Sequence, residues 1–200
     1  MNKYKIGIFG SAVNESEKAI ETTKKLGRIL GKKDIIIVTG ACAGMPDIVA
    51  QEALKTETEV WGFAPVASEK ELKELYKDND FSHYKNIYYI PANFKDLFFI
   101  KADTEFKVQK PSLQKYRNVI STANCDGGII ISGRWGSMNE FTNLFDMGKV
   151  IGVLTGTGGI ADELPSLMKK INKPSSAKVI FNEDPEILVN AVLEELDKRS

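Results

Sequence analysis

The sequence predicts an α/β protein, a single doubly wound domain in which a parallel sheet is flanked by helices, and three observations carry that prediction. Short apolar runs alternate with helix-patterned segments almost throughout the 200 residues. The runs, such as "DIIIVTG" and "GGIIIS", lack polar alternation. Both faces of their sheet are therefore covered, the condition of a parallel sheet with crossover helices. Three of the runs end in small, glycine-rich turns, where such folds take their ligands.

The first strand is "KIGIFGSA" (5–12), rich in Ile and ending in Gly-Ser. The helix at 16–33 places Ala19, Ile20, Thr23, Leu26, Ile29 and Leu30 on one face, with an N-cap in its "SEKA" opening and Gly31 as its stop. Strand 34–40, helix 45–56 with Pro46 in its first turn, and strand 59–66 follow. "SEKELKELYK" (68–77) is a charged, exposed helix, and "KNIYYIPA" (85–92) a strand stopped by Pro91. Segment 91–110 breaks the alternation and reads as a longer loop or a short helix over one edge of the site. Pro111 and Ser112 open the helix 111–124. Strands at 127–132, 149–154 and 177–181 precede helices at 136–147, 159–171 and 184–198. The last helix begins with acids and Pro185, which suit a helix N-terminus. No repeat or linker divides the chain, so 1–200 reads as one Rossmann-like domain whose divergent part is about 67–110.

Lys+Arg and Asp+Glu number 27 each, so no global field draws nucleic acid or an anionic membrane, and neither is expected as a partner. The N-terminus enters a strand pattern without the charged and apolar regions of a secretory signal. No apolar run approaches the roughly 20 residues of a bilayer span. A cytoplasmic location is expected. Cys42 and Cys125 have no metal-ligand spacing and, without an export signal, form no expected disulfide; they read as ordinary thiols. Neither a metal nor a cofactor is expected.

The three turns are Gly10-Ser11-Ala12, Thr39 to Met45, and Ser132 to Ser137. Glycine lets the backbone approach an anion, and the helix that follows aims unpaired N–H groups at it. Ser11 and Ser137 add hydroxyl donors. Together the turns predict a nucleotide or sugar-phosphate pocket. They contain no Gly-Lys-Ser/Thr of a Walker loop, and 40–45, Gly-Ala-Cys-Ala-Gly-Met, is not G-x-G-x-x-G.

The stretch "SGRWGSMNE" (132–140) resembles the P-G-G-x-G-T-x-x-E motif of the Lonely Guy (LOG) family, proteins of the SLOG superfamily often mislabelled "lysine decarboxylase". "TGACAGMPDIVAQEA" is similar to that family's G-G-G-x-x-G-x-M stretch, and "IGIFGSA" to its opening strand and Gly-Ser turn. Arg117 in "QKYRNVI" falls where the family carries its catalytic arginine, 140 − 117 = 23 residues before Glu140, and Asp126 sits at the acidic strand entry. The resemblance implies a nucleoside 5′-monophosphate phosphoribohydrolase that releases free base and ribose 5-phosphate without a metal. Glu140 would stabilise the oxocarbenium-like sugar and orient water, with Arg117 positioning it. Ser11, Gly133, Arg134, Gly136 and Ser137 would hold the phosphate, and Gly40, Gly44 and Met45 the nucleoside side. It also implies a homodimer.

The chain departs from the pattern at Ser132 (Pro), Arg134 (second Gly), Ser137 (Thr) and Asn139 (Glu), and at Ala41 and Cys42 in the earlier loop. If position 134 needs a positive φ, Arg carries a steric penalty there. If it does not, a guanidinium stands beside the phosphate site, to grip a phosphate or to fill the pocket. The rival reading is therefore a non-catalytic nucleotide or molybdenum-cofactor carrier of the same fold. A DNA-processing relative is disfavoured by the balanced charge. Lysine decarboxylation is excluded by the lack of a recognisable pyridoxal-phosphate lysine. The plainer alternatives are a surface arginine for Arg117, a first-turn helix acid for Glu140, a loop residue for His83, and core or pocket wall for Trp61 and Trp135.

Overall fold

The computed structural model describes residues 3–13, 15–77, 79–90 and 110–200. Along the chain these form β1 (Tyr4–Gly10), α1 (Glu17–Leu30), β2 (Ile35–Thr39), α2 (Met45–Leu54), β3 (Glu59–Ala64), α3 (Glu69–Leu75) and β4 (Asn86–Tyr89). There follow α4 (Lys110–Ala123), β5 (Gly127–Ile131), α5 (Trp135–Asp146), β6 (Val150–Leu154), α6 (Gly159–Lys170), β7 (Lys178–Asn182) and α7 (Pro185–Asp197). Each strand and helix expected from the sequence is present, most with ends displaced by a residue or a few. The expected loop or helix at 91–110 falls almost entirely outside the described residues.

The seven strands form one sheet in the order β4-β3-β2-β1-β5-β6-β7. Every pairing is parallel. The absence of polar alternation has the predicted cause, because β5 and β6 are buried along their whole length. Successive side chains feed two different cores. Ile6, Ile8, Ile37, Ile129 and Ile131 meet Leu26, Val49, Leu188 and Val192 on the face covered by α1, α2 and α7. Phe9, Val38, Ile130, Ile151 and Val153 meet Phe141, Leu144 and Leu164 of α5 and α6 on the other.

From β1 the chain builds outward through β2, β3 and β4, then returns across β1 to start β5. The strand order thus reverses between β1 and β5, and a crevice opens beyond their carboxyl ends, the ligand position of doubly wound folds. The turns after β2, β1 and β5 lie side by side there because those strands are neighbours.

Helix starts divide into two kinds. Ser16, Ser68 and Asp184 cap α1, α3 and α7 by accepting backbone N–H groups of the first turn, the usual way of satisfying those donors. The helices α2, α5 and α6 start at Gly44, Arg134 and Gly158 with no side-chain cap. No helix among the described residues is long and apolar enough to cross a membrane.

Candidate functional site

The crevice is a cleft of roughly 300 Å³, lined by Gly10, Ser11 and Ala12 after β1, Gly40 and Cys42 after β2, Arg134, Gly136, Ser137 and Glu140 from the β5 turn and α5, and Gln114, Lys115, Arg117 and Asn118 of α4. All three sequence-predicted turns contribute, and Arg117 and Glu140 face the same space.

Arg117 is no surface arginine: it is 8% exposed. Its Nη1 donates to the carbonyl oxygens of Gly40 at 2.5 Å and Phe63 at 3.4 Å, which clamps the guanidinium across the ends of β2 and β3. A Cβ on Gly40 would overlap Nη1. Gly40 is therefore small to admit this arginine as much as any ligand.

Glu140 lies in the second turn of α5, and that helix has no acid in its first turn, so helix-end stabilisation does not explain it. It is 7% exposed, and among the described residues its carboxylate takes no hydrogen bond and forms no ion pair. Burial raises its pKa to about 7, against the pull of the positive charges on Arg117 and Lys115. A carboxyl held near neutrality in a cleft suits proton transfer at physiological pH.

The turn between them settles the strain at Arg134. Positive φ falls at Ser132 (49°) and Gly133 (92°). Arg134 itself is extended, with φ −130° and ψ −147°. It carries no backbone penalty, and its side chain is exposed at the cleft. The turn is braced from behind. Ser132 N–H donates to Thr157 Oγ1 at 2.9 Å, and the first N–H groups of α6, from Ile160 and Ala161, donate to the carbonyls of Gly133 and Ser132.

Those bonds occupy α6's N-terminus, whereas that of α5 stays free. The first α5 helix bond runs from Met138 N–H to Arg134 O, leaving the N–H groups of 135–137 without an intrahelical partner. At Gly136 an added Cβ would meet no atom within 4 Å, so packing does not require glycine there. What the missing side chain leaves open is approach to an uncapped helix N-terminus, an anion site by geometry and dipole.

Of the predicted site residues, Ser11, Gly40, Arg117, Arg134, Gly136, Ser137 and Glu140 line the cleft, and Gly44, Met45 and Gly133 do not. Met45 is fully buried, and its N–H donates to Ser11 O at 2.8 Å. Gly44 (φ 98°) presses against Ser11 and Ala12, and Gly133 against Ser137. These three shape the turns rather than face the cleft. Sequence reading missed Gln114, Lys115 and Asn118 of α4; Gln114, Arg117 and Asn118 stand at i, i+3 and i+4 on one helix face, and Lys115 stands three residues before Asn118. Asn118 Nδ2 donates to Asn139 Oδ1 at 3.1 Å, tying α4 to α5 beside the Arg117 and Glu140 pair. Cys42 lines the cleft and Cys125 lies in the core, and burial raises both thiol pKa values. His83 is half-buried beside Asp47, outside the cleft lining. Trp135 is neither core nor pocket wall: it is 82% exposed.

Fold and cleft together define a Rossmann-like α/β protein with a cleft at the topological switch point. The chain belongs to the SLOG cluster4 family, whose profile matches residues 3–189. No curated protein matches the sequence. Among solved structures it is similar to the structural-genomics target TM1055, at 17% identity and TM-score 0.71, over 96% of this chain and 99% of that one. It is also similar to the molybdenum cofactor binding protein of the phototrophic bacterium Rippkaea orientalis, at 15% identity and TM-score 0.67, over 98% and 99% of the two chains. A third similar structure is DNA processing protein A of Helicobacter pylori, which binds single-stranded DNA (19% identity, TM-score 0.60, 96% and 81% coverage). That last likeness overturns the expectation that nucleic acid is excluded as a partner. Net charge sums the whole chain, whereas phosphate is met locally. This cleft presents Lys115, Arg117 and Arg134 against Glu140 alone.

Proposed function

We propose that the cleft is the active site of a LOG-like phosphoribohydrolase, which hydrolyses the N-glycosidic bond of a nucleoside 5′-monophosphate to free base and ribose 5-phosphate. The observation that carries this reading is Glu140, a buried carboxyl with a pKa near 7, one helical turn from an uncapped N-terminus. The phosphate binds the free N–H groups of 135–137 and the Ser137 hydroxyl, which fixes the sugar over Glu140. As the C1′–N bond breaks, its electron pair leaves with the base. The ionised carboxylate stabilises positive charge at C1′ and takes a proton from the water whose oxygen adds there. That proton then passes to the base. Arg117, clamped by the Gly40 and Phe63 carbonyls, supplies the positive field that keeps Glu140 ionisable. The homodimer expected from the resemblance is part of the same proposal, and a mass measurement in solution tests it.

One observation favours a carrier instead. Arg117 Nη1 is engaged by two carbonyls, and no ion pair joins it to Glu140. Incubation with a panel of nucleoside 5′-monophosphates, with Glu140→Gln alongside, separates the two readings. Base released by the wild type alone supports hydrolysis. A rise in melting temperature without release supports the carrier.

A further inference from the structure

The mouth of the cleft holds more binding chemistry than a mononucleotide uses. Trp135, the first residue of α5, is 82% exposed, the most of the large hydrophobic side chains of the described residues, with Ile171 next at 64%. It belongs to neither core cluster. Chain neighbours on either side of it, Arg134 and Gly136, line the cleft. Val13, the residue after Ser11 and Ala12 of the cleft lining, is 46% exposed, so the chain beside two of the cleft turns carries an uncovered apolar side chain. Arg134 and Lys115 are both exposed, and among the described residues neither forms an ion pair or a side-chain hydrogen bond.

The inner phosphate needs neither of these cations, because the α5 N-terminus already offers it three backbone donors. The cleft's roughly 300 Å³ lies at the lower end for ligand sites, room for about one mononucleotide. At the cleft's rim a ligand meets the guanidinium of Arg134 and the ammonium of Lys115, and the exposed indole of Trp135 follows Arg134 in the chain. These are the groups that grip a phosphate and stack a base.

We propose that the ligand carries two phosphates and two bases: one nucleotide inside the cleft, the second held at the mouth with its phosphate on Arg134 and Lys115 and its base on Trp135. This rests on the nucleotide reading of the inner site, though not on hydrolysis there. Two ligands share the chemistry, a pyrophosphate-linked dinucleotide and a 5′-phosphorylated phosphodiester dinucleotide, the latter equivalent to the end of a nucleic-acid strand.

The test is equilibrium titration of the whole chain, followed by tryptophan fluorescence and calorimetry, with AMP, ADP, a pyrophosphate-linked adenosine dinucleotide and a 5′-phosphorylated adenosine dinucleotide. At least one dinucleotide is expected to bind about tenfold or more tightly than AMP, the usual effect of stacking one base. Binding should quench fluorescence. Trp135→Ala should remove the quench and bring the dinucleotide-to-AMP affinity ratio to within about threefold of one, and Arg134→Ala should lower the ratio for ADP as well. Equal affinities for AMP and both dinucleotides overturn the proposal, as does a ratio that survives both substitutions. Both side chains are exposed, so unchanged melting curves verify that the variants are folded. Preference for the phosphodiester ligand alone identifies a nucleic-acid end as the source. Dinucleotide binding with a Trp135-dependent quench but no base release from any nucleoside 5′-monophosphate of the panel defeats the hydrolase reading and leaves this one standing.

Discussion

Replacing Glu140 by Gln keeps the shape of the side chain and removes its charge, and the stability change follows from the structure. Burial lifts the carboxyl from its ordinary 4.5 to about 7. At about 1.4 kcal/mol for each tenfold change in proton affinity, holding this charge in the folded state costs on the order of 3 kcal/mol. The native protein keeps a proton that the unfolded chain has shed between pH 4.5 and about 7, so Glu140's contribution to stability is fully present below that window and lost as pH rises through it. Above pH 8 the wild type therefore carries the whole penalty, and Glu140→Gln escapes it. For a chain of this length that is a rise in melting temperature of roughly 6–12 °C at pH 8.5, shrinking to a few degrees at pH 5. Differential scanning calorimetry of both proteins at the two pH values reads it directly, and base release should be lost at both. An equal shift at pH 5 and pH 8.5, or none at pH 8.5, would refute the claim that a buried, unpaired carboxylate is maintained here against stability.

Three further predictions concern the turns. Gly40→Ala puts a methyl where Arg117 Nη1 lies; it should lower turnover about a hundredfold, as a displaced catalytic group does, and add little to the loss in Arg117→Ala when the two are combined. Gly136→Ala meets no protein atom; its unfolding free energy should stay within about 0.5 kcal/mol of wild type while calorimetric affinity for a phosphate ligand falls about tenfold or more. Ser132→Pro, which restores the family motif, should destabilise by about 3 kcal/mol or more in denaturant titration. Proline cannot adopt φ 49°, and the N–H bonded to Thr157 is lost.

The fold was legible because most strands are short apolar runs between patterned helices, and strands covered on both faces, as β5 and β6 are, leave little choice of topology. Arg117 and Glu140 were singled out by their likeness to the family motif and its interval, and the structure buries both and places both on one cleft. Gly44 and Met45 misled for a physical reason. A glycine turn reads the same whether it faces a ligand or a neighbouring loop, and this one faces Ser11. Gln114 was missed although its helical spacing from Arg117 points to it, and Lys115 and Asn118 were missed because positions two and one residues from Arg117 carry no such signal. Trp135 was misplaced because large apolar residues are usually covered, and only coordinates show one that is not.

The position of the left-handed residues explains how an arginine entered a glycine motif. Only a residue at positive φ needs glycine for conformational reasons, and here that burden falls on Ser132 and Gly133. Ser132 is held in that conformation through its own N–H and C=O, by Thr157 and the start of α6, so no proline is possible there. With the left-handed residues at 132 and 133, position 134 is extended backbone that any residue adopts. Its side chain leaves the turn at the cleft wall, directly before a helix N-terminus with no cap of its own. A substitution that looks disruptive in the motif thus adds a positive charge at the cleft mouth without strain. The same geometry carries Trp135, at the motif's variable position, into solvent beside it, so in the proposed binding mode these two side chains would meet the ligand's outer end and leave Gly136 and Ser137 to its inner phosphate.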